Sequence, residues 1–90
     1  LPNYRPADWT PLERLLTAAY GPDAADAVTA FWFVGYADGP ADVGELRLYE
    51  HSATRRCLAL DRDGRTYRWH AGHRFYSPVA VHEALVATLC

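Results

Sequence analysis

The sequence predicts a two-layer α+β fold, with an antiparallel meander of three or four strands covered on one face by three helices in the order ααβββα. Three observations carry this. Residues 45–70, ELRLYEHSATRRCLALDRDGRTYRWH, fall into three short alternating segments: Leu46 and Leu48 interleave with Arg47 and Tyr49, Leu58 and Leu60 with Ala59, and Tyr67 and Trp69 with Arg68. Strand side chains alternate between faces, so each segment buries one side. Helical spacing flanks this region, through Leu12, Leu15, Leu16 and Ala19 before it and Val81, Ala84, Leu85, Thr88 and Leu89 after it. One-sided strands need a cover, and amphipathic helices supply one.

Taken in order, Leu1 to Asp8 has two prolines and no periodicity, which reads as an extended arm packing through Tyr4 or Trp9. Thr10-Pro11-Leu12-Glu13 reads as a helix start: a threonine cap, proline at the first position and a glutamate able to complete a capping box. Gly21 and Pro22 end that helix. Asp23 then caps a second helix, expected from about Ala24 to Val34, with Asp26 near its positive end. Phe31, Trp32, Phe33 and Val34 are consecutive, and at about 100° per residue they cannot share one helical face. Either that helix is covered on most sides, or one aromatic stays exposed, or FWFVGY is a strand; periodicity does not separate these.

Tyr36 to Gly44 is a loop by composition. His51 to Thr54 forms the first turn of the meander, and Asp61 to Gly64 the second, with Asp63-Gly64 a hairpin signal. Ala71-Gly72 makes a further tight turn that brings a short strand, Arg74 to Tyr76, beside the third. Ser77-Pro78 opens the last helix. In this reading Leu46, Leu48, Leu58, Leu60, Tyr67 and Trp69 share the buried face.

Ninety residues suit one domain, 1–90, with a thin stability margin. Half are hydrophobic and 22% charged, the balance of a folded chain. Net charge is only −2, and all nine basic residues are arginine; the absence of lysine, isoleucine and methionine points to a GC-rich bacterial coding sequence. The longest apolar run, Ala30 to Val34, is far short of the ~20 residues that span a bilayer. With no leader visible and two cysteines, Cys57 and Cys90, too few for a disulfide framework, a reduced cytoplasmic protein is expected.

Charge is divided. Residues 1–44 set two arginines against six carboxylates, and residues 45–75 set seven arginines against four. With the leucines inward, the reverse of the sheet presents Arg47, Tyr49, His51, Arg68 and His70, with Arg55 and Arg56 at its edge. Arginines and aromatics on an open sheet suit single-stranded nucleic acid or an acidic protein. A polar solvated face is nonetheless the ordinary condition of an antiparallel sheet, and the stacking signature of common RNA-binding modules is absent.

His70-x2-His73, with Cys57, His51 or His82, invites a metal, yet no CxxC or HxxxH spacing accompanies it, and none is expected. Cys57 lies mid-strand, Ser52 and Ser77 read as turn and cap residues, and no glycine-rich phosphate loop occurs, so neither an enzyme nor a cofactor is expected. Trp32, Phe33 and Tyr36 gather before the acidic loop, where exposed rings can anchor a partner. The sequence therefore points to a small non-enzymatic interaction domain (an adaptor, an inhibitor or a self-associating subunit) whose partner is another protein or a second copy. Nucleic-acid binding through the arginine-bearing face is the alternative, and no membrane partner is expected.

Overall fold

The computed structural model describes residues 6–90. Helix α1 (Pro6–Tyr20) is followed by a 3-10 turn (Gly21–Asp23) and a short helix α2 (Ala24–Thr29). Five strands come next, β1 (Phe31–Asp38), β2 (Glu45–His51), β3 (Cys57–Leu60), β4 (Thr66–His70) and β5 (Phe75–Pro78), and α3 (Val81–Leu89) closes the chain. The strands form one antiparallel sheet in the order β1-β2-β3-β4-β5. The α+β class and the meander are as expected. Two long helices, α1 and α3, stand where three were expected, and the sheet has five strands.

The difference arises at FWFVGY. The second helix stops after six residues at Thr29, and Phe31 to Asp38 pairs along the whole of β2. Phe31 and Phe33 oppose His51 and Tyr49 and enter the core side, while Trp32 opposes Glu50 and stays on the other face. Period two thus accommodates the aromatic run that a helix would have spread around its surface. A bulge between Phe33 and Gly35 then resets the register, so that Tyr36 opposes Arg47 on the same side as Phe33.

Helix α1 begins earlier than the Thr10-Pro11 signal indicates. Pro6–Asp8 is already helical, and Pro11 lies inside the helix, where it cannot donate to the Ala7 carbonyl. Asp8 is buried and Trp9 packs against Phe33 and Tyr49, so burial of the first turn outweighs the local stop signal. The expected N-terminal arm lies mostly on residues 1–5, outside the described residues. At the other end, Ser77 and Pro78 finish β5, and α3 starts only at Val81 after Ala80.

Two loops of one kind set the hairpin registers. In the β2–β3 loop Arg55 donates its backbone N–H to the His51 carbonyl, and in the β4–β5 loop Arg74 does the same to His70. Both arginines take left-handed backbone angles, φ 64° and 58°. Four residues thus separate His51 from Arg56, whose carbonyl accepts from the His51 N–H. Tyr49 consequently opposes Leu58, Arg47 opposes Leu60, and Leu48 opposes Ala59. Opposed residues share a face, which separates the leucines. Leu58 and Leu60 lie with Tyr49 and Phe31 against Leu12, Leu15 and Leu16 of α1 and Ala84 and Leu85 of α3. Leu46 lies on the other side with Ala59 and Tyr67, and Leu48, Tyr76 and Val43 pack against that cluster. The single buried leucine face expected from the sequence is therefore corrected: only the Leu58–Leu60 pair meets the helices, and Arg47 and Tyr49 turn inward with it.

The second cluster has its own small cover. The loop after β1 folds back through a Gly39 N–H donated to the Gly44 carbonyl, 2.8 Å, and brings Val43 to Leu46. Gly39 must be glycine, because a Cβ there would lie 2.7 Å from the Gly44 carbonyl oxygen and 2.9 Å from Leu46.

Between β3 and β4 the organiser is Asp61. Its buried carboxylate accepts from the backbone N–H groups of Asp63 and Arg65 and from the Tyr67 hydroxyl, at 2.9, 3.0 and 2.9 Å. Burial, then the hydrogen bond to Asp61, pushes the Tyr67 hydroxyl up to about 12. Burial also raises Tyr49, whose hydroxyl donates to the Asp8 backbone carbonyl. A pKa raised by folding means that stability is intact below the unfolded value of about 10 and is lost as pH climbs through the folded value. The Tyr67 contribution to the denaturant midpoint should therefore be constant up to about pH 10 and be lost between about 10 and 12, so Tyr67→Phe should make the fall across that window shallower. The leucine faces can be tested directly. Leu58→Asp buries an unpaired carboxylate and should abolish folding, whereas Leu48→Asp at a half-buried site at the edge of the second cluster should cost about 1–2 kcal/mol by urea denaturation. Equal losses would contradict the assignment.

Candidate functional site

Helices α1 and α3 lie on one face of the sheet, and the residues expected to form a binding face divide accordingly. Arg47, Tyr49, His51, Arg68 and His70 do share a side, but it is the helix side. Tyr49 is fully buried at 0% exposure. The Arg47 Nε lies 3.9 Å from Oδ1 of Asp8 on α1, and the same oxygen accepts a 2.6 Å hydrogen bond from the Tyr36 hydroxyl. That bond, ahead of burial, raises the Tyr36 pKa, and the Arg47 guanidinium sits 5.8 Å from the Tyr36 ring centroid. The cluster ties α1 to β1 and β2, so it is a structural bolt in which Arg47 and Tyr36 are already engaged.

His51 and His70 are likewise occupied locally. The His51 Nδ1 accepts from the backbone N–H groups of Ala53 and Thr54, holding the β2–β3 loop. His70 stacks on Phe75 at 4.6 Å, and its Nε2 is 2.5 Å from the Ser77 hydroxyl. Among the described residues no group of three or more His, Cys, Asp or Glu is placed to hold a metal ion. Phe33 is half-buried among Trp9, Tyr36 and Tyr49 and takes no part in an open surface.

The uncovered face carries different residues. Pairing places Trp32, Glu50 and Cys57 in one row across β1, β2 and β3, and Trp69 beside Tyr76 across β4 and β5, with rings 4.8 Å apart. Trp32 is 51% exposed and Trp69 47%. Leu48 and Tyr76 are half-buried between them, and Cys57 is exposed. One charged group organises this surface: Arg55 pairs with Glu50 and sits 5.2 Å from the Trp32 ring centroid. Partial burial of the Cys57 thiol, and then the Glu50 carboxylate, raise its pKa and disfavour the thiolate.

A cavity of 320 Å³ opens where β3 and β4 part. Their ladder has pairs at Leu60–Thr66 and Ala59–Tyr67 and none beyond, although β3 extends to Cys57 and β4 to His70. Cys57 and Leu58 form one wall, Arg68 and Trp69 the other, and Glu83, Ala84, Ala87 and Thr88 of α3 the roof. That roof is fixed at its C-terminal end. The Thr54 hydroxyl donates to the Thr88 carbonyl at 2.5 Å, and Arg56 donates to the Ala87 carbonyl at 3.2 Å, satisfying acceptors of the last helical turn.

Of the residues singled out from the sequence, the structure thus places Trp32 and Arg55 together on the open face, Arg68 at the cavity, Arg47 and Phe33 in or beside the core, and Tyr36 on the helix side but 47% exposed. Sequence reasoning missed Trp69, Tyr76 and Leu48 as surface groups, having assigned Trp69 and Leu48 to the core. Their alternation was visible; which side the helices would take was not. Among the described residues no helix is long and apolar enough to cross a membrane. Comparison with protein-family models, curated proteins and solved structures finds no match to this chain.

Arg47→Ala should lower stability by about 1–2 kcal/mol in chemical denaturation, because it removes the guanidinium that faces the buried Asp8 carboxylate, while the Tyr36 hydroxyl still donates to that carboxylate. Arg68→Ala, at an exposed position, should cost less than about 0.5 kcal/mol.

Proposed function

We propose that the chain is a small non-enzymatic protein-interaction domain that engages a partner protein, or a second copy of itself, through the helix-free face of its sheet. The observation that carries this is two tryptophans half-exposed on one sheet face, Trp32 and Trp69, with Leu48, Tyr76 and Cys57 between them. Large rings left in water cost free energy that burial against a partner would recover, about 25 cal/mol per Å² of apolar surface covered. Tryptophan is also the residue type most enriched at the energetic centres of interfaces. The Arg55–Glu50 pair beside Trp32 supplies a polar rim.

The nucleic-acid reading has less support. It requires Arg47 and Tyr49 on an open face, and both lie on the helix side. The open face itself carries Arg55 as its cation, and that charge is already paired with Glu50.

Light scattering over a range of concentrations, together with quantitative affinity enrichment, tests the proposal with the wild-type protein and a Trp32→Ala/Trp69→Ala variant. Both sites are exposed, so the variant should keep its fold by circular dichroism. Self-association, or retention of a defined partner, should weaken at least about tenfold in the variant, in line with the loss of two anchor residues. A wild-type protein that stays monomeric and retains nothing the variant fails to retain overturns the reading.

A further inference from the structure

We propose that the cavity between β3, β4 and α3 binds a small apolar or aromatic α-amino acid in its zwitterionic form. Three features of the cavity point to this class. The first is charge. Arg68 lines the cavity from its β4 wall and Glu83 from its α3 roof, and among the described residues no ion pair joins them. An occupant bearing a carboxylate and an ammonium satisfies both, the carboxylate in the fork of the guanidinium and the ammonium at Glu83. A purely anionic molecule would meet Glu83 unfavourably, and a purely cationic one would meet Arg68.

The second feature is the wall. Leu58, Val79, Ala84 and Ala87 give an apolar lining for a side chain. The volume, 320 Å³, lies at the lower end of the about 300–1,000 Å³ range of small-molecule sites, which suits an amino acid better than a nucleotide.

The third is the interrupted ladder. Along β3 the backbone polar groups alternate between neighbours: Arg56 turns its carbonyl to β2, and Asp61 turns its N–H to Arg65 across the β3–β4 turn. Counting by twos from Asp61 points the N–H and C=O of Ala59, and then of Cys57, toward β4. Trp69, two residues beyond Tyr67, turns its own toward β3. Pairing ends at Ala59–Tyr67, so the Cys57 and Trp69 backbone groups face the cavity. They offer donors and acceptors to the main-chain atoms of an amino acid where strand pairing stops.

This inference does not rest on the open-face interaction, and its test separates the two. Amide chemical shifts are followed while the 90-residue protein is titrated with L-leucine and L-phenylalanine. N-acetyl-L-phenylalanine, without the ammonium, and L-phenylalaninamide, without the carboxylate, serve as matched probes. At least one free amino acid should produce saturable shifts at Cys57, Trp69 and the Glu83–Thr88 turns. Both blocked forms should bind about tenfold more weakly, the size of one charge-assisted contact. Arg68→Ala and Glu83→Gln, at exposed positions expected to leave the fold intact, should each reduce affinity by a similar factor, while Trp32→Ala should leave it unchanged. No saturable shift with either amino acid overturns the proposal. So do equal binding of the blocked forms, or shifts centred away from the cavity.

Discussion

The structure depends on the pairing of Tyr49 with Leu58. In an antiparallel hairpin, opposed residues share a face, so the number of residues in the loop decides which of two alternating patterns coincide. Four residues between His51 and Arg56, with Arg55 in a left-handed conformation, bring the tyrosine and arginine of β2 into line with the leucines of β3. One sheet face thereby acquires Phe31, Phe33, Tyr49, Leu58 and Leu60, a surface large enough to seat α1 and α3. The other acquires Leu46, Leu48, Ala59, Tyr67 and Trp69, too apolar to be a conventional solvated face and covered only in part by the Gly39–Gly44 loop.

Several otherwise unrelated features follow from that constraint. Arg47, carried to the helix side, needs a counter-ion there, and Asp8 provides it by extending α1 past Pro11. The Tyr36 hydroxyl reaches the same carboxylate because the bulge at Phe33–Gly35 restores it to the inner side. His51, which would otherwise point at solvent beside Arg47, becomes the acceptor that holds the loop responsible for the register. Residues resembling a binding set in one dimension are thus parts of the device that positions the sheet.

The exposed apolar surfaces are the complement of this device. Helices on one side leave Trp32 and Trp69 exposed on the other. The early parting of β3 and β4 leaves a cleft under α3 with Arg68 and Glu83 among its lining residues. The helix seated over that cleft is held at its end by Thr54 and Arg56, residues of the same loop that sets the β2–β3 register.

The sequence by itself determined the α+β class, the order of the meander, the Asp63-Gly64 hairpin and the helical stripes of α1 and α3, because these depend on local periodicity and turn chemistry. It left FWFVGY open between helix and strand, since a short apolar run satisfies both periods, and only pairing with β2 decided for a strand. The tertiary structure alone decided which alternating set of each strand faces the helices. Alternation states that a strand has two faces without saying which neighbour's face each will match. The match is set by a loop whose left-handed residue is Arg55, a position that carries none of the usual glycine or asparagine signal. That is why the leucines and arginines were legible as patterns while their sides, and with them the exposed tryptophans and the cavity, emerged only from the packed chain.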